Sequence, residues 1–185
     1  MKTLKEKYEK EVIPAMKEQF GYKNNMAIPK IEKVVINIGF GKKVAGKTGD
    51  ERKKIAETIR NDIKIIAGQT PVLTRAKKSI SSFKVREGMA VGASVTLRGP
   101  KMRDFLERVI NIVLPRTRDF QGLNIKSIDK GGNLTFSILE HIAFPEIEPE
   151  KVREILSLEI TVVTTAQDQE RGLALLRLLG FPIKK

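Results

Sequence analysis

The sequence feature that most restricts the fold is a two-residue alternation of apolar and polar side chains in several short segments. In residues 33–39, every second side chain from Val34 to Ile38 is aliphatic, and residues 91–98 alternate in the same way. This period places the aliphatic side chains on one face of a strand, which is then half-buried. Half-buried strands are typical of antiparallel sheets that have one open face.

Segments with helical periodicity lie before, between and after the predicted strands. The predicted strands are residues 33–39, 70–75, 91–98, 133–139 and 159–165. The predicted helices are a first helix capped by Thr3, kinked at Pro14 and stopped at Gly21, a second over 51–67, a third opened by Gly99 and closed by Pro115, and a last over 168–179. Each helix carries one apolar stripe, so the helices can cover one face of the sheet.

The order strand, helix, strand, strand, helix, strand predicts an α+β fold with a ferredoxin-like split β-α-β core. We expect a mainly antiparallel sheet with helices packed on one face and additional terminal helices. Since no repeat, low-complexity tract or Pro-rich linker divides the chain, residues 1–185 are predicted to form a single domain. The side chains expected on the open face are Asn37, Gly39, Gly92, Ser94, Thr96, Arg98, Thr135, Ser137 and Thr161.

The charge balance favours a polyanionic partner. Lysine and arginine number 35 against 22 acidic residues, which gives a formal net charge of +13. RNA, DNA and an anionic membrane surface all fit this excess. No apolar run reaches the ~18 residues that a membrane span requires, and the first ten residues are too charged for a secretory signal, so we expect a soluble chain.

Few residues are available for metal or nucleophilic chemistry. The chain has no cysteine, which excludes disulfides, thiolate zinc sites and a cysteine nucleophile. Its single histidine, His141, lies in an apolar stretch, where a structural role is the favoured interpretation. We therefore predict no metal site and no catalytic residues.

One segment matches the phosphate-binding pattern G-x-x-x-x-G-K-T through Gly41, Gly46, Lys47 and Thr48. A working P-loop follows a strand buried on both faces, whereas the preceding strand alternates. Thr48 with Glu51 fits a helix capping box instead. We interpret the pattern as a chance match and predict no cofactor, although nucleotide hydrolysis remains the enzymatic alternative.

A basic loop separates two of the predicted strands. It carries Arg75, Lys77, Lys78, Lys84 and Arg86, together with serines such as Ser79 and two apolar residues, Ile80 and Phe83. A long positive loop with little core to bury can probe a nucleic-acid groove, although a charge run can also be only a solvated surface. Farther along, the glutamates from 146 to 154 are interpreted as the acidic beginning of a helix after Pro149.

The predicted open face has no aromatic residue, which argues against base stacking on the sheet. Its amide and hydroxyl side chains can instead hydrogen-bond to the 2′-hydroxyls and phosphates of folded RNA. The sequence therefore favours recognition of structured RNA by shape. A basic protein on an anionic membrane remains a third alternative, which would need an apolar face left over after core packing.

Eight separated segments resemble, in order, the family of bacterial large-subunit ribosomal protein five. They are 31–41 (IEKVVINIGFG), 68–80 (GQTPVLTRAKKSI), 83–88 (FKVREG), 95–101 (VTLRGPK), 114–120 (LPRTRDF), 144–147 (FPEI), 160–166 (ITVVTTA) and 175–182 (LLRLLGFP). The resemblance covers nearly the whole chain. It implies an RNA-binding, non-enzymatic protein of the large ribosomal subunit, located in the cytoplasm.

The resemblance also implies particular partners and residues. Members of the family bind 5S rRNA and help attach it to the central protuberance beside neighbouring 5S-rRNA-binding ribosomal proteins. By position, Asn37, Gln69 and Thr96 would hydrogen-bond to 5S rRNA and Arg98 would contact a phosphate. The loop 75–86 would extend toward the tRNA in the peptidyl site, and its candidate residues are Arg75, Lys77, Lys78, Ser79 and Phe83.

The region 116–122 and later loops resemble the family's surface that faces a small-subunit head protein. Two positions depart from the family pattern. Gln121 stands where an arginine is common, and Ser157 where a glycine often precedes the 160–166 segment. The first difference changes the charge expected at the intersubunit surface, and neither lies on the predicted RNA face.

Overall fold

A computed structural model describes residues 3–118, 120–152 and 154–184. Five strands form one sheet: β1 (Ile31–Gly39), β2 (Val72–Arg75), β3 (Ala90–Leu97), β4 (Leu134–Ile138) and β5 (Leu158–Thr164). The α-helices are α1 (Leu4–Lys7), α2 (Ile13–Phe20), α3 (Gly41–Val44), α4 (Gly49–Ala67), α5 (Gly99–Arg108), α6 (Leu114–Arg116) and α7 (Gln169–Leu179). The α+β prediction is confirmed, because the sheet is antiparallel and helices pack on it.

The strand order is β2-β3-β1-β5-β4. Strands β1, β2, β3 and β5 occupy the four positions of a split β-α-β unit, and β4 is added outside β5 as an edge strand. The fourth strand of the split β-α-β unit is therefore β5, the last strand of the sequence, and not β4. The order of the elements along the sequence does not reveal that β5 and not β4 takes this position.

Contacts divide the chain into two compact units. The first comprises Met1–Val34, Arg98–Phe136 and Thr161–Lys185, and the second comprises Val35–Leu97 and Ser137–Ile160. In the first, α1 contacts α5, and α7 contacts the π-helical turn Tyr8–Val12. In the second, α3 and α4 both contact β3.

Local signals set the ends of the long helices. Thr48 and Glu51 form a capping box at the start of α4, and Gly68 ends that helix with a positive φ of 64°. The Asp168 side chain accepts a hydrogen bond from Arg171 N at the start of α7, and Gly180 ends it at φ 98°. These ends agree with the prediction because each depends on residues only a few positions apart.

Two prolines are accommodated by π-helical turns. Tyr8–Val12 precedes Pro14, and Val109–Val113 precedes Pro115. A proline lacks the N–H of the regular helical bond and its ring collides with the carbonyl four residues before it, so a wider turn relieves both problems. Pro115 therefore does not close the third helix as predicted, and the helix continues through α6 to Arg116.

Alternating burial along the strands gives the sheet one open face. In β1 the side chains of Val34, Ile36 and Ile38 are at most 4% exposed, whereas Asn37 between them is half-buried. In β3 the side chain of Val95 is buried and that of Thr96 is exposed. The predicted open face is confirmed at Asn37 and Thr96.

Two predictions need correction. Gly92 is buried rather than open, because a Cβ atom there would lie 2.6 Å from the Thr74 hydroxyl and 2.9 Å from the Ile38 carbonyl oxygen. The acidic helix predicted after Pro149 is only a single 3-10 turn, Pro149–Lys151. Within the residues that the structure describes, no helix is both long and apolar enough to cross a membrane.

Candidate nucleic-acid interface

Two of the predicted RNA-binding side chains, those of Asn37 and Thr96, stand on the open face of the sheet. Ile36 and Ile38, at 0% and 4% exposure, anchor β1 on either side of Asn37. Val95 and Leu97, at 3% and 0%, do the same for Thr96 in β3. The buried neighbours fix the backbone at both positions, so the amide and hydroxyl side chains project from a packed support.

Gln69 is brought to the same surface by the end of α4. The helix stops at Gly68 in the left-handed conformation, and the next residue turns toward β3. There the Gln69 Nε2 atom donates a hydrogen bond to the Thr96 carbonyl oxygen at 3.3 Å. The side chain is exposed, so its amide oxygen is positioned to accept a further hydrogen bond.

Arg98 follows β3 and is the N-cap residue of α5. Its Nη1 atom lies 3.1 Å from Glu32 Oε1, and the two side chains are 57% and 46% exposed. An ion pair this exposed contributes little stability, so the guanidinium can exchange its carboxylate partner for a phosphate. Glu32 was not singled out from the sequence, because no local pattern joins residues 66 positions apart.

The predicted basic loop is more ordered than an irregular connection. Ala76 N donates to Met89 O at 2.9 Å, and Ile80 and Val85 exchange hydrogen bonds of 2.9 and 3.2 Å. The Ser79 hydroxyl accepts a bond of 2.9 Å from Glu87 N. The loop is therefore a hairpin-like extension of β2 and β3 rather than a structureless segment.

Most side chains of this loop are exposed. Arg75, Lys77 and Lys78 are exposed, and within the described part of the chain no ion pair joins them to a carboxylate. Phe83 is 65% exposed. A cluster of uncompensated cations beside an exposed ring is suited to an anionic, aromatic ligand.

The segment that matches the P-loop pattern has a different geometry. Residues after Gly41 form the short helix α3, and the Thr48 hydroxyl donates to Glu51 Oε2 at 3.0 Å. The Thr48 backbone N–H donates to the same oxygen, and these bonds lower the pKa of Glu51. A carboxylate thus holds the groups that a P-loop would offer to magnesium and phosphate, which agrees with the interpretation as a chance match.

His141 has the structural environment predicted for it. Its side chain is 0% exposed, and Nδ1 accepts a hydrogen bond of 3.2 Å from Leu156 N. Burial, with the nearby charge of Lys43, lowers the pKa of His141, so the imidazole is neutral at pH 7. Among the residues that the structure describes, no group of three or more metal-binding side chains comes together.

The region 116–122 is only partly described, because Asp119 lies outside the described residues. Arg116 and Arg118 are exposed. Gln121 Oε1 accepts a hydrogen bond of 3.3 Å from Lys184 Nζ. Gln121, which stands where the family pattern commonly has an arginine, thus contacts the positively charged ammonium group of Lys184.

Together these features define a class: a basic α+β protein whose sheet presents hydrogen-bonding groups on its open face. The sequence profile of ribosomal protein L5 matches residues 24–86, and the profile of the C-terminus of the same ribosomal protein family matches residues 90–183. Large ribosomal subunit protein uL5 of Caldanaerobacter subterraneus subsp. tengcongensis is 50% identical over the full length of both chains. That of Fervidobacterium nodosum is 49% identical over 98% of this chain and 96% of the relative.

The chain belongs to the uL5 family of large ribosomal subunit proteins. It is accordingly a structural constituent of the large subunit and not an enzyme. Ribosomal RNA and ribosomal proteins are its partners, and its place is in the cytoplasmic ribosome. The expectation of a ribosomal protein is confirmed at this level.

Proposed function

We propose that the chain binds 5S rRNA and helps attach it to the central protuberance of the large subunit. The groups that form this contact are the RNA face, defined as Asn37, Gln69 and Thr96 with Arg98 as a phosphate contact. We further propose that residues 1–185 act as a single RNA-binding domain beside neighbouring 5S-rRNA-binding ribosomal proteins.

The observation that carries this proposal is the hydrogen bond from Gln69 to the backbone carbonyl of Thr96, the residue whose side chain lies on the open face of the sheet. It holds an amide group beside an exposed hydroxyl, and both can bond to 2′-hydroxyls and phosphate oxygens. Neither group needs an unstacked base. This favours a folded RNA that is recognised by its backbone shape over a single strand that is read base by base.

We propose a second contact through the loop 75–86, directed toward tRNA in the peptidyl site. Arg75, Lys77 and Lys78 are exposed cations that can neutralise tRNA phosphates. Ser79 and Phe83 complete the candidate residues. The hydrogen-bonded base of this extension supports its use as a projecting arm.

We propose a third contact between the region 116–122 and a small-subunit head protein, which forms an intersubunit bridge. The exposed Arg116 and Arg118 give this region positive charge. Gln121 is uncharged, but its side-chain oxygen accepts a hydrogen bond from the ammonium group of Lys184. An acidic surface on the partner would fit this arrangement.

The test is a binding measurement with purified 5S rRNA, tRNA and random RNA of equal length. We expect the wild-type protein to prefer 5S rRNA and Asn37→Ala or Thr96→Ala to weaken that binding by about 3- to 10-fold, as the loss of one hydrogen bond predicts. Wild-type affinity after both substitutions would refute the RNA face.

Thr58→Ala is the matched control for Thr96→Ala. Thr58 is an exposed threonine of α4 whose hydroxyl donates to the Lys54 carbonyl within the same helix. Its substitution removes the same atoms from a position outside the proposed interface. We expect 5S rRNA affinity to remain at the wild-type value in this variant.

A further inference from the structure

An apolar groove lies between the loop 75–86 and the segment that begins at Gly41. Its volume is about 760 Å³, within the range of about 300–1,000 Å³ that is usual for small-molecule sites. Ala45, Ile80, Phe83, Val85 and Val91 contribute apolar surface to its lining. The groove therefore offers room and an apolar surface for a flat group.

The groove exists because the loop folds back toward α3. The Ile80–Val85 hydrogen bonds tighten the loop, and Lys84 adopts a left-handed φ of 51° at its turn. The Lys84 methylenes then come within reach of Gly46, where a Cβ atom would lie 3.8 Å from the lysine Cδ. The segment that resembles a P-loop thus forms one wall of this groove.

Charge around the groove is of one sign. Four lysines line it, namely Lys42, Lys77, Lys78 and Lys84, and no acidic side chain of the described residues does so. In the described part of the chain, no carboxylate forms an ion pair with any of the four. An apolar peptide or a lipid tail would make no use of these cations, whereas an anion with a flat apolar body would use both features.

We propose that the groove holds one unstacked nucleotide of the tRNA that the loop meets. The base would stack on Phe83, a residue that is 65% exposed, and the flanking phosphates would contact the rim lysines. This inference rests on the proposed function of the loop and adds a base-binding pocket to it. The groove would therefore bind RNA by base stacking, whereas no base stacking is proposed for the sheet.

The test compares two end-labelled RNA trinucleotides of equal charge. One carries adenine on its central ribose between two abasic riboses, and the other is fully abasic. We expect the full-length protein to bind the adenine probe at least about fivefold more tightly, since stacking on an aromatic side chain contributes about 1–3 kcal/mol per base. Phe83→Ala should remove this preference.

Two further variants separate the groove from other apolar surface. Ala45→Leu places a larger side chain in the lining and should also remove the preference. Val72→Ala is the control, because Val72 is another exposed apolar side chain, at 72%, outside the groove. We expect this control to keep the wild-type preference.

Equal affinity of the wild-type protein for both probes, including no binding of either, overturns the proposal. A preference for adenine that survives both Phe83→Ala and Ala45→Leu overturns it as well. The loop function is judged separately by tRNA binding of the Lys77→Ala, Lys78→Ala double variant. If the adenine preference holds but this variant binds tRNA like the wild type, the loop proposal fails and with it the assignment of the base to tRNA, whereas the base-binding pocket itself stands.

Discussion

The RNA face and the loop 75–86 differ in how tightly the protein packs beneath the side chains that they expose. Behind Asn37 and Thr96, the flanking residues of β1 and β3 are at most 4% exposed. In the loop, Ile80 and Phe83 are 46% and 65% exposed, and the backbone is held by a few cross-loop hydrogen bonds. The sheet fixes neutral donors and acceptors on a packed support, while the loop carries exposed charge on a lightly packed one.

If both regions contact RNA as proposed, this difference predicts two modes of contact in one chain. Neutral groups on the packed sheet can select a shape, because little backbone freedom remains to be lost on binding. Exposed lysines on the loop can attract any polyanion, with a strong dependence on salt. Substitutions in the two regions should therefore affect stability and binding in different proportions.

The largest difference is expected in stability. Ile36→Ala removes a side chain that is 0% exposed beneath the RNA face and should lower the free energy of unfolding by about 2–5 kcal/mol. Phe83→Ala, in the exposed loop, should change it by less than about 0.5 kcal/mol. Urea denaturation of both variants measures the contrast, and equal losses would contradict the distinction between the two regions.

A smaller loss of stability is expected at Gly92, where β3 and β1 approach closely. Gly92→Ala would place a Cβ atom 2.9 Å from the Ile38 carbonyl oxygen, which cannot move without shifting β1, and should cost about 1–3 kcal/mol. Gly39→Ala is the control, because no atom lies within 4 Å of the added Cβ. Thermal unfolding should separate the two, and a neutral Gly92→Ala would show that the strands can part freely.

The third prediction concerns the dependence of binding on salt. Lys77→Ala with Lys78→Ala should lower the slope of log affinity for tRNA against log salt concentration by about 1 per lysine. Asn37→Ala should weaken 5S rRNA binding without changing its slope, since it removes no charge. Titrations at several salt concentrations measure both slopes. A changed slope in Asn37→Ala would contradict the neutral mode proposed for the sheet.

The smallest effect is expected at the pair of Arg98 and Glu32. Glu32→Gln removes the carboxylate that lies 3.1 Å from the guanidinium, which should tighten 5S rRNA binding by up to about fivefold. The double variant with Arg98→Ala should lose that gain. An equal gain with and without Arg98 would mean that Glu32 acts only through its general negative charge.

Much of the fold could be predicted because its signals are local. The α4 cap joins Thr48 and Glu51, three residues apart, and the alternation of β1 lies within nine residues. The candidate residues of the RNA face came from resemblance, and their roles stay predictions. The exposure of Asn37 and Thr96 on one sheet face follows from the period of the strands, which already separates Asn37 from Ile36 and Ile38.

What the sequence by itself determined was the five strands and the longer helices, the alternation that exposes Asn37 and Thr96, the positive charge and the family. Only the tertiary structure decided the order of the strands, the burial of Gly92 and the Gln69–Thr96 and Arg98–Glu32 contacts. The physical reason is the range of the interactions. Caps and periods act over a few residues, whereas strand pairing and ion pairs join residues tens of positions apart whose meeting depends on how the whole core packs.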